Sequence, residues 1–64
     1  MTENLKLLMA IREKGLTQKQ FAKLVGDPET SISRVVRGYF NLDDQRKRRY
    51  AEALGKRVAD IFQN

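Results

Sequence analysis

Apolar residues recur along the chain at helical rather than strand spacing, and the breaks between the periodic stretches fall at or beside glycines. Between Thr2 and Lys14, residues Leu5, Leu8, Met9 and Arg12 follow an i, i+3, i+4, i+7 pattern. This predicts a first helix with Thr2 as its N-cap and Gly15 just past its end. Leu7 and Ile11 lie beside that stripe and widen it, either as core or as a contact surface. Thr17 with Gln20 three residues later forms a capping box, in which each side chain serves a backbone N–H at a helix start. The second helix then runs to about Val25, with Phe21, Leu24 and Val25 inward and Ala22 small enough for another helix to approach.

The stretch Val25-Gly26-Asp27-Pro28-Glu29-Thr30 is a tight stop and restart. Gly26 suits the left-handed end of one helix, Asp27 is placed to cap the next, and Pro28 fits that helix's first turn. A third helix follows, about 28–37, with Ile32, Val35 and Val36 inward and Gly38 closing it. Tyr39 to Leu42 make a connection in which Phe40 is expected to pack on the core, with a two-fold interface as the competing reading. Asn41 or Asp43 caps a fourth helix that presents Tyr50, Ala51 and Leu54 inward and ends at Gly55. A short fifth helix, Val58 to Phe62, brings Val58, Ile61 and Phe62 together. No repeat or linker interrupts the pattern, so the expectation is an all-α, compact five-helix bundle in which residues 1–64 form one domain.

Composition narrows what such a bundle does. Sixty-four residues, 41% of them hydrophobic, support a small core but not a large enclosed pocket. No cysteine and no histidine are present, which removes disulfides, zinc–thiolate sites and the commonest general base. No metal, cofactor or small-molecule ligand is expected, and an enzyme is the least favoured class. The adjacent acids Asp43 and Asp44 suit a helix N-terminus better than paired catalysis. The apolar runs are too short to span a bilayer and the N-terminus lacks a signal-peptide pattern, so a cytoplasmic protein without a membrane partner is expected. Thirteen Lys and Arg against eight Asp and Glu give a net charge of +5, an attractive field for a polyanion such as nucleic acid.

Two short helices joined by a glycine-containing turn are the ingredients of a helix-turn-helix, although many helical bundles share them. The particular residues are more specific. Thr17-Gln18-Lys19-Gln20-Phe21-Ala22-Lys23-Leu24-Val25-Gly26, then Ser31-Ile32-Ser33-Arg34-Val35 and Gly38, resemble the phage repressor and Cro type of helix-turn-helix, the Xre family. Its usual form is T-Q-x-x-[LF]-A-x-x-x-G, five residues, I-S-R-[IV] and a closing glycine. Ala51-Glu52-Ala53-Leu54-Gly55 with Asp60-Ile61-Phe62 resemble the family's closing segment, so the likeness covers nearly the whole chain, with the helix-turn-helix itself at about 17–38. The sequence departs from the family at Asp27, where a small apolar residue is usual, and at Lys47, where helix 4 often carries an apolar one. Its loop after Gly38 also lacks the common G-x-x-x-P form.

The resemblance implies a lambda-repressor-like fold and a small transcription regulator, a repressor or Cro-like protein, that binds double-stranded DNA. Its third helix would read the major groove. On 3.6-residue spacing the outward arc of that helix is Glu29, Thr30, Ser33, Arg34 and Arg37. Glu29, Thr30, Ser33 and Arg34 are the expected base contacts. Arg34 is suited to guanine O6 and N7, Glu29 to cytosine N4, and Thr30 to a thymine methyl or a hydrogen bond. Gln18, Lys19, Arg37 and Arg46 are the expected phosphate contacts, Gln18 because the matching family glutamine holds a phosphate at a helix N-terminus. Of the basic run Arg46 to Arg49, Arg46 lies nearest the helix start, and Lys47 is expected to lay its stem over the core. A homodimer on a palindromic operator is the expected assembly. With the bundle using the whole chain, no separate ligand-binding or oligomerisation domain is expected. The alternative is an antitoxin-like or adaptor protein that keeps the helix-turn-helix fold for protein interaction through Leu7, Ile11 and Phe40, with weak non-specific DNA binding. RNA binding ranks low for want of a sheet and aromatics on which bases stack.

Overall fold

The computed structural model describes residues 3–62, and five helices account for most of them. They are α1 (Leu5–Glu13), α2 (Gln18–Val25), α3 (Glu29–Arg37), α4 (Asp44–Leu54) and α5 (Val58–Ile61). Local chemistry sets the boundaries. Thr17 and Gln20 form the capping box at the start of α2, with Gln20 N donating to Thr17 Oγ1 at 3.1 Å and Thr17 N donating to Gln20 Oε1 at 2.9 Å. Asp43 Oδ1 accepts from Arg46 N at 2.8 Å and starts α4. The short α5 is held at its first turn by Asp60, which accepts from Arg57 N and pairs with its guanidinium at 3.3 Å. That hydrogen-bonded pair lowers the Asp60 pKa and raises that of Arg57.

The core is a single cluster to which every helix contributes. Leu7, Phe21, Ile32 and Tyr50 are wholly buried, and each apolar side chain of that size contributes about 1.5–3 kcal/mol on leaving water. Phe21 meets the Tyr50 ring edge-on at 5.3 Å between centroids, locking α2 to α4. Ile32, Val35 and Val36 form the inward stripe of α3, as their spacing predicts. That helix packs on α2 and α1. Its C-terminal end is also tied to the start of α1, where Asn4 N donates to the Val36 carbonyl at 2.7 Å. Among the described residues no helix is long and apolar enough to cross a membrane.

Several expectations are corrected. The N-cap of α1 is Asn4, whose Oδ1 accepts from Leu7 N at 3.0 Å, and Thr2 lies outside the described residues. The inward stripe of α1 is Leu7, Ala10 and Ile11 rather than Leu5, Leu8, Met9 and Arg12, of which Leu8 alone packs, partly buried, against the core. Leu5 and Met9 are 55% and 62% exposed. Two stripes half a turn apart are apolar on this helix, and the one carrying the small Ala10 lets α1 approach its neighbours closely. Leu24 also faces out, because it sits about 100° around α2 from Val25, which is buried. Phe40 does not join the core. Leu42 fills that place, leaving Phe40 43% exposed beside Tyr39. Lys47 lies over the Phe62 ring, its Nζ 5.8 Å from the centroid, so an ammonium–aromatic contact takes the place of the family's usual apolar packing.

Candidate nucleic-acid interface

The turn between α2 and α3 begins at Gly26, whose φ of +81° is the left-handed conformation that L side chains rarely adopt. Its N–H and that of Asp27 both return to the Ala22 carbonyl, at 2.9 and 3.0 Å, closing α2. Pro28, extended at φ −65° and ψ 150°, then launches α3 as its N-cap. Ser31 N and Ile32 N bond back to the Pro28 carbonyl, at 3.0 and 3.3 Å.

Asp27 is not the cap that its position suggests. Pro28 holds the N-cap site without a side-chain bond, and the Asp27 carboxylate turns toward α4, where its side chain is only 7% exposed. One oxygen accepts from the Tyr50 hydroxyl, and the other lies 3.9 Å from the Arg46 guanidinium. A buried phenol offers a donor that would otherwise go unmet, which outweighs a solvent-facing cap. Burial first, and then the hydrogen bond and charge of Asp27, push the Tyr50 hydroxyl well above the ordinary tyrosine range, so it stays a donor. Arg49 adds a bond to the Val25 carbonyl at 3.4 Å. Arg46, Arg49 and Tyr50 thus use one i, i+3, i+4 face of α4 to hold the turn. Sequence reasoning missed this clasp, although Asp27 standing where the family prefers an apolar residue was its signal.

Opposite the buried stripe of α3, Thr30, Arg34 and Arg37 are exposed within a sector of about 60°. Glu29, also exposed, and the half-buried Ser33 flank that sector. The helix therefore presents its polar side chains as one outward strip, and its inward side is fully apolar. At the start of α2 the capping box serves Thr17 and Gln20, while the amides of Gln18 and Lys19 belong to the first turn, whose N–H groups have no partner inside the helix. Gln18 is half-buried there and Lys19 exposed. Arg46 stands apart from these two, half-exposed on α4 and already paired with Asp27.

A family model described as helix-turn-helix matches residues 7–61. Among curated proteins no match is found. Among solved structures, the chain resembles the restriction-modification controller protein C.AhdI from Aeromonas hydrophila, at 27% identity and a TM-score of 0.84. The alignment covers 92% of this chain and 86% of that one. The family match takes in all of α2, the turn and α3, and the chain belongs to the helix-turn-helix family as a DNA-binding transcription regulator of the phage repressor and Cro type, the Xre type.

Proposed function

We propose that this regulator binds duplex DNA sequence-specifically, with α3 in the major groove. The observation that carries the reading is the division of α3, apolar at Ile32, Val35 and Val36 and polar on the opposite strip. Such a helix is fixed to the protein by one face and offers the other, about the width that a major groove admits. Arg34 reads guanine, Glu29 accepts from cytosine N4, and Thr30 and Ser33 complete the base contacts. Gln18 and Lys19 at the α2 N-terminus, with Arg37 and Arg46, hold phosphates and set the register of the protein on the duplex. Two copies on a partly palindromic site place two α3 helices about 34 Å apart.

Selection of bound duplexes from a random DNA pool at two salt concentrations tests the proposal. Recovery of a two-fold motif that persists at the higher salt is the expected result. A pool without enrichment, its binding lost as salt rises, would mean backbone attraction alone. It would then favour the protein-interaction alternative. That alternative has lost part of its support already, because Leu7 and Ile11 are in the core and of its three residues only Phe40 is at the surface.

A further inference from the structure

The clasp between α4 and the turn has a consequence for how α3 is aimed. Helix α3 packs on α2 and α1. Its C-terminal end is tied to Asn4 through the Val36 carbonyl. Its N-terminal end, which carries Glu29 and Thr30, starts from Pro28 without a side-chain cap. The residue before that proline is Asp27, held from α4 by the Tyr50 hydroxyl and neighboured by Arg46. Tyr50 is itself wholly buried and immobilised against Phe21, so the hydroxyl is a fixed point in the core.

We propose that Asp27 and Tyr50 are positioning residues for DNA recognition: their hydrogen bond sets the direction in which α3 leaves the turn, and so the alignment of its side chains with base edges. The inference rests on the reading of α3 given above and adds to it two residues that touch no DNA. An acid in the turn of a basic protein repels phosphate, and here its charge is spent on Arg46 and its hydrogen-bonding capacity on Tyr50. A misdirected helix still meets the backbone field but loses the geometry of paired hydrogen bonds. Discrimination among sequences should therefore fall further than general affinity.

The test compares wild type with Tyr50→Phe, Asp27→Ala and Asp27→Asn. Each is titrated on the duplex selected by wild type and on a scrambled duplex. Tyr50→Phe keeps the ring packing, and Asp27→Asn keeps an oxygen that accepts from the hydroxyl. Tyr50→Phe and Asp27→Ala should lose about tenfold in the ratio of the two affinities, the scale of one good base contact. Asp27→Asn should keep most of that ratio. Unchanged ratios in Tyr50→Phe and Asp27→Ala, with only a lower melting temperature, would overturn the proposal. Equal loss in Asp27→Asn and Asp27→Ala would overturn the hydrogen bond as its cause. Amide hydrogen exchange without DNA supplies the independent arm. Ser31 and Ile32, whose amides bond to the Pro28 carbonyl, should exchange about tenfold faster in Tyr50→Phe, relative to amides of α1. No such acceleration would contradict the clasp. A wild-type protein that selects no duplex would instead sink the reading of α3, leaving the exchange result to judge the clasp alone.

Discussion

Single residues in the turn carry much of what makes α3 available. Gly26 has open space where a Cβ would stand, with nothing within 4 Å, so the cost of substitution there is conformational rather than steric crowding. Gly26→Ala should destabilise the protein by about 1–2 kcal/mol, read from urea unfolding, because an L side chain is disfavoured in the left-handed region. Tyr50 makes a separate prediction. Its folded-state pKa lies above the unfolded value near 10. The stability it contributes is therefore fully present below pH 10 and is lost as pH rises through the folded value. Above pH 10 wild-type stability should fall by up to about 1.4 kcal/mol per pH unit relative to Tyr50→Phe. A constant difference between the two proteins from pH 8 to 11 would show that the hydroxyl is not held in its neutral form.

At the scale of the elements, most boundaries were legible in the sequence because they depend on residues within one turn of each other. Thr17 with Gln20, Gly26, Gly38, Asp43 and Gly55 all mark helix ends as their chemistry predicts. The inward face of α1 was not legible. Leu5, Leu7, Leu8, Met9, Ala10 and Ile11 are all apolar, and periodicity alone does not choose between two stripes on opposite sides of a helix. Asp27 was misread for a different reason: its partner Tyr50 is 23 residues away, beyond any local rule. The outward strip of α3 was legible, since its alternation with Ile32, Val35 and Val36 is unambiguous. The chemistry proposed for α2 and for the α3 strip divides into kinds that mutation separates. Lys19→Ala, at a proposed phosphate contact on α2, should weaken binding to all duplexes and reduce the salt slope by about one. Glu29→Ala should bind scrambled DNA more tightly and discriminate less, because it removes a negative charge from a surface proposed to face phosphates and an acceptor from the proposed base-reading strip. Equal loss of binding on every duplex would sink that role for Glu29.

The molecule measures 25 × 22 × 20 Å along its principal axes, a size that suits one half-site of the proposed two-fold operator. In the proposed pairing, two copies at the roughly 34 Å repeat of DNA would be spaced by somewhat more than the longest molecular axis. The +5 net charge supplies the attraction common to all duplexes, and it is screened by salt. On the proposed reading, specificity comes from the few side chains of α3, held by its apolar face and by the turn. Arg34 is the most exposed test of that division, because it stands at the outer edge of the strip and is the residue best suited to a paired contact with guanine.

The direct measurement is a titration of wild type and Arg34→Ala on the selected duplex and on a scrambled one at the same salt. Base reading by α3 predicts a loss of about 1–3 kcal/mol on the selected duplex and little on the scrambled one, with preference relaxed at a single base-pair position. Equal losses on both duplexes would show that Arg34 holds the backbone, and would contradict the claim that α3 reads sequence.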